Sequence, residues 1–364
     1  MFQYLFILFS LILILSFNPD NHKLSLSGRK GKGIFALCLG VLILLAGFRS
    51  PKVGNDTMNY INIFIQGEDL LYNGSRYEIG FKYYNLLIHI FTDNDQAFLI
   101  ITSFLIFSTF GFFIWKYSTR PKSALVFFFL LSFGMTVNTL RQCLAICFLL
   151  FSIEYIIQKR WLLFSLFVVV ASNFHITAIL FLAIYPLSNI RIERKTILMF
   201  VIGSVVSFFF FSALLQLAFS YFPMYEYYSD GKYFEGGTRI ASIVQLLFSI
   251  IIFVLGYIPY KRSTSEIWKQ SVEGKRYTLL LQLEMIAIFV LFLSLKVNLL
   301  DRLSMNFSVL SFVLISNAIN LLPVRKRRIV TFSLIMLFAS YSCIAMWLRP
   351  EWNEIYPIEL EWRL

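Results

Sequence analysis

Long, uninterrupted apolar runs separated by short polar stretches make up most of the sequence. The runs lie near residues 1–17, 33–48, 97–115, 123–139, 141–157, 161–187, 196–219, 240–260, 277–297, 303–322 and 329–348. Many are close to the roughly 20 helical residues that cross the apolar core of a bilayer, about 30 Å thick. Because the runs are continuous rather than alternating, a sandwich or a barrel is excluded. The pattern predicts an all-α polytopic integral membrane protein.

The composition agrees with this prediction and excludes a water-soluble enzyme. The 364 residues are 58% hydrophobic and 14% charged, with a mean hydropathy of +0.73, whereas a soluble domain carries about 25% charge. The net charge of +12 would favour nucleic acid in a soluble protein, but here the basic residues sit in loops between apolar runs, so no nucleic acid is expected. Four cysteines without a C-x-x-C pair and three histidines predict neither a disulfide framework nor a metal site.

The basic loops set the expected orientation, because an excess of Lys and Arg marks the cytoplasmic side. They lie at 23–32, 116–122, 159–160, 191–195, 261–276 and 325–328. Loops 23–32 and 116–122 are both expected in the cytoplasm, so an even number of crossings must separate them. Runs 33–48 and 97–115 supply two crossings. The apolar stretch 81–91 is therefore predicted to be an outer interfacial helix, since about 11 residues are too few to span.

Run 161–187 has basic loops at both ends, so it must enter the membrane and return as a short hairpin. Its polar interruption, Ser172-Asn173-Phe174-His175, places His175 at the turn near the outer face. Broken helices are tolerated in a membrane where protein or a watery cavity satisfies the backbone. We expect about 12 crossings in one transmembrane domain over residues 1–364, with both ends of the chain outside and outer loops at 49–96 and 220–239.

This orientation collects arginines on the outer side, where the positive-inside rule should deplete them. They are Arg49, Arg76, Arg141, Arg239 and Arg302. A guanidinium can grip a phosphate with two hydrogen bonds, so the set suits a lipid-linked diphosphate. Each arginine could instead snorkel or pair with a carboxylate.

Two further outer features each have two interpretations. The aromatic cluster of loop 220–239, including Tyr227 and Tyr228, is either an interfacial belt or a stacking wall for sugar rings. His175 is either a hydrogen-bonded packing residue or a general base, because neutral imidazole can take a hydroxyl proton near pH 7.

Four short motifs occur in order along the chain, followed by the stretch Trp347 to Pro357. They are Phe48-Arg49 with Gly54-Asn55-Asp56-Thr57 and Tyr60; Tyr77-Glu78-Ile79-Gly80-Phe81; Leu140-Arg141-Gln142 with Ala145; and His175-Ile176-Thr177-Ala178. Together they resemble the EpsG-like branch of the Wzy-type O-antigen and exopolysaccharide polymerases. Ile79 stands where that family often has proline.

The resemblance implies a GT-C-like glycosyltransferase in the bacterial inner membrane, with its active face on the periplasmic side. Such polymerases join undecaprenyl-diphosphate-linked repeat units of O-antigen, lipopolysaccharide, capsule or exopolysaccharide, with no cofactor, nucleotide sugar or metal. The expected partners are the lipid-linked donor and acceptor, membrane lipid and a chain-length regulator. A flippase of lipid-linked oligosaccharide is the alternative. Many transporters contain internal repeats, and none is evident in this sequence.

Motif positions supply most of the candidate residues. The resemblance points to His175, Arg141, Glu78 and Asp56 as catalytic, with His175 as the base and the two carboxylates as its substitutes. Substrate-binding candidates are Arg49, Tyr60, Arg76 and Gln142 from the motifs, Arg302 from topology, and Tyr227, Tyr228 and Arg239 from the outer loop. The arginines would hold diphosphates, because matched charge stabilises the leaving group in the transition state.

Overall fold

The structure is a computed structural model that describes residues 1–16, 26–72, 77–221, 239–297, 300–352 and 354–362. Within these ranges the chain consists of helices and connecting segments, and the β structure there is limited to an isolated antiparallel bridge between Arg49 and Leu360. The predicted all-α class is confirmed.

In the first half of the chain, the described residues form ten α-helices. They are α1 Phe2–Ser16, α2 Leu26–Gly47, α3 Thr57–Ile65, α4 Asp69–Tyr72, α5 Ile79–His89, α6 Asp95–Tyr117, α7 Pro121–Leu131, α8 Phe133–Asn138, α9 Leu140–Ile157 and α10 Trp161–Ser172. A 3₁₀-helix, Ile176–Ala183, follows. The later helices in the described ranges are α11 Ile184–Leu187, α12 Arg194–Phe209, α13 Phe211–Tyr221, α14 Ile240–Ser263, α15 Glu266–Gln270, α16 Val272–Ser294, α17 Leu300–Ser308, α18 Ser311–Leu321 and α19 Val324–Leu348, with a last 3₁₀ turn at Pro350–Trp352.

Five of the described helices are long and apolar enough to cross a membrane: α6, α9, α14, α16 and α19. The count rises to seven if α12 with α13, bent by 72°, and α17 with α18, bent by 47°, are each one span. The expected total of about 12 crossings is not confirmed. Several apolar runs instead form helices of 10–17 residues, which are shorter than a straight span requires.

Two local predictions match the described helices. The stretch predicted as a short outer helix forms α5, whose buried side chains include Phe81, Tyr84 and Ile88, spaced as one face of a helix. Run 161–187 is broken where its polar residues occur, because α10 ends at Ser172 and the 3₁₀-helix begins at Ile176 and packs back against α10. His175 lies in this break.

Helix α9 joins two polar clusters at its opposite ends. Glu154 lies near the C-terminal end of α9. It accepts hydrogen bonds from Arg276 at 2.9 Å and from the hydroxyl of Tyr117 at 2.5 Å, and it lies 3.4 Å from Lys116. Lys116 and Arg276 come from two different loops that are predicted to be cytoplasmic. Arg141 lies at the beginning of α9, about 20 Å away at roughly 1.5 Å per residue.

The segment 354–362 fixes the loop that follows α2. The backbone N–H of Ser50 donates to the carbonyl of Glu359 at 2.7 Å, and that of Gly54 donates to the carbonyl of Glu354 at 2.9 Å. Gly54 has φ of +87°, a left-handed conformation that side chains other than glycine's rarely adopt. These contacts hold the loop that carries Asp56 against the rest of the protein.

Candidate active site

The centre of the candidate site is the carboxylate of Glu78, which has three partners. Arg141 donates to Oε2 at 2.9 Å, and the backbone N–H of Ile176 donates to Oε1 at 3.0 Å. Nδ1 of His175 lies 3.6 Å from the same Oε1. The side chains of Glu78, Arg141 and His175 are 16%, 24% and 18% exposed, so the cluster is half-buried. The structure therefore brings three of the four predicted catalytic residues together.

A close backbone approach creates this cluster. Glu78 precedes α5 in an extended conformation, and the backbone N–H of Phe81 donates to the carbonyl of Asn173 at 3.2 Å. A Cβ atom on Gly80 would lie 2.7 Å from that same carbonyl oxygen, so only glycine lets α5 come this close. The Glu-x-Gly-Phe motif thus docks the start of α5 onto the break that carries His175.

The surroundings of Glu78 keep it ionised. Burial alone would raise the pKa of Glu78, but the nearby imidazole of His175, the charge of Arg141 and the N–H of Ile176 together lower it below its usual value. A carboxylate held in this way is a poor proton acceptor. It is well suited to orient an imidazole, because the buried Nδ1 of His175 has no hydrogen-bond partner within the described residues and faces Glu78.

A second charged pair lies beside the first. Arg302 at the start of α17 approaches Asp56 at 3.8 Å, and these side chains are 55% and 26% exposed. The backbone N–H of Asp56 donates to Oδ1 of Asn138 at 2.9 Å, and Gln142 donates to the carbonyl of Arg302 at 2.7 Å. The backbone at Arg302 is therefore fixed while its guanidinium is accessible to a ligand.

Residues that the sequence analysis did not single out connect the two pairs. Asn306 accepts a hydrogen bond from Gln142 at 3.2 Å and donates to the hydroxyl of Thr177 at 3.2 Å. This chain ties α9, α17 and the 3₁₀-helix together behind the charged groups. The available signal was a polar Asn306 inside an apolar run and the position of Thr177 within the last motif.

Two tyrosines surround Arg141. The guanidinium lies 5.2 Å from the ring centre of Tyr77, within the range of a cation–π contact. The hydroxyl of Tyr60 receives a backbone hydrogen bond from Arg141, and burial, followed by the charge of Asp56, raises the pKa of Tyr60 well above its usual value. Tyr60 therefore stays protonated and contributes a neutral hydroxyl to the site.

Arg49 occupies a different position from the one expected of a diphosphate ligand. Its side chain is fully buried and donates to the hydroxyls of Thr57 and Ser103 at 3.4 Å and to the carbonyls of Val137, at 3.2 Å, and Ala46. Burial lowers the pKa of Arg49 to about 9, so the guanidinium is still charged at neutral pH. With no accessible donor, Arg49 is a structural tie between α2, α6 and α8 in this conformation.

The remaining candidates divide between the edge of the site and residues outside the described ranges. Arg239 is exposed at the start of α14 and interacts electrostatically with Asp301, the neighbour of Arg302. Arg76, Tyr227 and Tyr228 lie outside the described residues. Among the residues that the structure describes, no three His, Cys, Asp or Glu side chains converge as a metal ion would require.

The fold and site define a multi-pass α-helical membrane protein with a cluster of ionisable side chains around Glu78, at the start of α5. The chain belongs to the EpsG family, whose model matches residues 33–360. It is also similar to the amylovoran biosynthesis protein AmsC of Erwinia amylovora, with 29% identity over 182 residues that cover 48% of this chain and 47% of AmsC. The matched region thus spans about half the length of this curated relative. No solved structure matches the chain.

Proposed function

We propose that this protein is a glycosyltransferase that polymerises lipid-linked oligosaccharide repeat units into a polysaccharide. Membership of the EpsG family and the similarity to a biosynthesis protein of the polysaccharide amylovoran support a role in polysaccharide synthesis. The single observation that carries the proposal is the cluster of Glu78, Arg141 and His175 beside the accessible guanidinium of Arg302. A base and two cations in one half-buried site are what glycosyl transfer from a diphosphate needs.

The reaction forms one bond and breaks one. The hydroxyl oxygen of the acceptor sugar attacks the anomeric carbon of the donor chain, and the bond from that carbon to the diphosphate oxygen breaks. Undecaprenyl diphosphate leaves with both bonding electrons, and the hydroxyl proton passes to His175. Neither a cofactor nor a nucleotide sugar takes part in this scheme.

Each charged group has a distinct task in the proposal. Nδ1 of His175 is turned towards Glu78, so Nε2 is left to take the proton from the hydroxyl of the acceptor sugar. Arg302, which is 55% exposed, turns from Asp56 to the donor diphosphate, and Arg141 supports the developing negative charge. Gln142 and Asp56 position these groups.

The distribution of charge supports placing this site on the periplasmic side of the inner membrane. Lys116 and Arg276, from two basic loops, meet at Glu154 near the end of α9, whereas the site lies at the beginning of the same helix. The positive-inside rule assigns the first end to the cytoplasm. The site then faces the leaflet in which flipped repeat units arrive.

The test is a glycan ladder from a strain that lacks the gene and is complemented with variants. Complementation with wild type or with Arg276→Ala should restore long chains, whereas His175→Ala at equal expression should leave single repeat units on the lipid carrier. Accumulation of those units on the cytoplasmic leaflet of the deletion strain would instead make the protein a flippase. Restoration of full chains by His175→Ala would remove the proposed base.

A further inference from the structure

An apolar groove runs from the candidate site into the membrane-spanning part of the protein. It encloses about 480 Å³ between α12, α16, α17 and the 3₁₀-helix, which is within the range of about 300–1,000 Å³ that small-molecule pockets occupy. Its walls include Leu180, Gly203, Val290, Leu303 and Phe307. Ser204 is one of the few polar wall residues. Its hydroxyl already donates to the carbonyl of Phe200 at 2.7 Å, so an apolar ligand can pack against it without leaving this donor unpaired.

The groove and the candidate site share two structural elements. In a 3₁₀-helix, residues three apart lie one above the other, so Thr177, Leu180 and Ala183 form a single stripe. Thr177 is bound to Asn306 of the site, and the other two residues line the groove. The stripe therefore leads directly from the site into the groove.

Helix α17 has the same double role. Leu300, Leu303 and Phe307 line the groove, with the spacing of one helix face. Arg302 and Asn306, four residues apart, lie on a neighbouring face and contact site residues. At about 100° per residue the two faces are roughly a third of a turn apart, so the residues of the site lie next to the wall of the groove along this helix.

Polar side chains flank the groove beyond both of its ends. Gln282 donates to the carbonyls of Ile190 at 2.7 Å and Ser188 at 3.2 Å, which joins α16 to the segment after α11. At the end near the site, Lys296 lies one turn beyond the groove residue Leu293, with its ammonium 4.7 Å from the ring centre of Phe208. Arg302 supplies the second cation there.

We propose that this groove holds the first isoprene units of the lipid-linked substrate, with the diphosphate between Arg302 and Lys296. The inference rests on the proposed function for the identity of the lipid. It commits to an isoprenoid diphosphate because Lys296 and Arg302 each lie within three residues of a groove residue, Leu293 or Leu303, and an apolar groove flanked by cations matches a long apolar chain attached directly to two phosphates. The groove would then set how deep the donor sits and keep its anomeric carbon at His175.

Gly203 offers a variant that fills the groove without disturbing its walls. A Cβ atom placed on Gly203 meets no atom within 4 Å, and the same holds for Gly40 of α2, which does not line the groove. Gly203→Leu and Gly40→Leu therefore form a matched pair, since each replaces a helical glycine by a residue of the same, higher helix propensity. Only the first places a side chain in the groove.

The experiment is photo-crosslinking of the purified full-length protein with an undecaprenyl diphosphate that carries a diazirine in its first isoprene units. We expect labelled peptides from residues 199–207 and 286–293, with labelling at least tenfold lower in Gly203→Leu and unchanged in Gly40→Leu. Labelling elsewhere, or equal labelling of both variants, overturns the proposal. So does competition by dioleoyl phosphatidic acid as effective as that by unlabelled undecaprenyl diphosphate, because the groove would then be a general lipid site.

A polymerisation assay separates failure of this inference from failure of the proposed function. With a donor whose diphosphate carries a methyl group in place of the isoprenoid chain, Gly203→Leu should keep the KM of wild type, whereas with the undecaprenyl donor its KM should rise about tenfold. Equal KM changes with both donors overturn the proposed lipid groove and leave the proposed polymerase function standing. If wild type is labelled in the groove but polymerises neither donor, the proposed function fails and the lipid site stands.

Discussion

The two ends of α9 each hold a half-buried carboxylate next to cations, yet they differ in what else is present. Glu78 and Glu154 are 16% and 20% exposed, and each receives an arginine at 2.9 Å. Around Glu154 the other partners are Tyr117 and Lys116, and together they satisfy both carboxylate oxygens. Around Glu78 the third partner is a histidine whose Nδ1 has no hydrogen bond within the described residues.

The comparison teaches that pairing alone does not identify a catalytic group. Glu154 joins α6, α9 and α16, and within the described residues both of its carboxylate oxygens have cationic or hydroxyl partners. Glu78 has the same kind of ion pair but adds a titratable ring, and 55% of the nearby Arg302 side chain is exposed. The difference predicts that substitutions around Glu78 lower activity more than stability, whereas equivalent substitutions around Glu154 lower stability more than activity.

The largest effect is expected from His175→Gln. Loss of a general base lowers rates by roughly 10²–10⁴-fold, and glutamine keeps a hydrogen-bonding side chain in the break after α10. The measurement is the initial rate of chain extension with purified protein and lipid-linked donor at equal protein amounts. A rate within about threefold of wild type would contradict general-base catalysis by His175.

Arg141→Ala is expected to be the next most damaging change, with Arg276→Ala as its counterpart at the other end of α9. Loss of one transition-state donor costs about 2.7–4 kcal/mol, or roughly 10²–10³-fold in kcat. Arg276→Ala should have little effect on kcat, because the contacts of Arg276 within the described residues are with Glu154 and Tyr117. If Arg141→Ala lost less than about threefold, or no more than Arg276→Ala, the proposed role of Arg141 would fail.

Glu78→Gln should change how stability depends on pH. The folded-state pKa of Glu78 is lowered, so its ionised form contributes stability above the unfolded pKa of about 4.3, and this contribution disappears as the pH falls through the folded value. The Tm difference between wild type and Glu78→Gln should therefore be largest near neutral pH and shrink in acid. A difference that stays constant from pH 7 to the acid limit would show that the charge of Glu78 does not stabilise the fold.

The smallest effect is expected at Lys116, whose side chain is 31% exposed and 3.4 Å from Glu154. Such a pair contributes about 0–1 kcal/mol, and Arg276 remains to balance the carboxylate. Lys116→Ala should lower Tm slightly and leave the rate of chain extension unchanged. A rate loss comparable to that of Arg141→Ala would mean that the two ends are coupled, which would break the comparison.

The sequence predicted the elements better than their contacts. The break at 173–175 was predictable because polar residues interrupt an apolar run, and α5 was predictable from its length and spacing. The contact of Glu78 with His175 was not, since it joins residues far apart in sequence and depends on the fit of Gly80 against a backbone carbonyl. Helix lengths within the long apolar runs depend on packing in the bundle, so counting runs did not give the number of spans.

Arg49 illustrates the limit for single residues. Arg49 follows an apolar run directly, and an arginine in that position can be either accessible to substrate or buried in the protein. The sequence does not distinguish the two environments. The hydrogen bonds of Ser50 and Gly54 with residues about 300 positions later cover this loop. Arg49 is thereby buried among hydroxyls and carbonyls, to which its guanidinium donates hydrogen bonds.

The segment 354–362 also has a consequence for biogenesis. The loop that carries Asp56 obtains its hydrogen bonds to Glu354 and Glu359 only after the ribosome has extended the chain past those two residues. Until then, the charged pair of Asp56 and Arg302 has no fixed support on one side. The site is thus completed late in membrane insertion, once residues 354–362 have been synthesised.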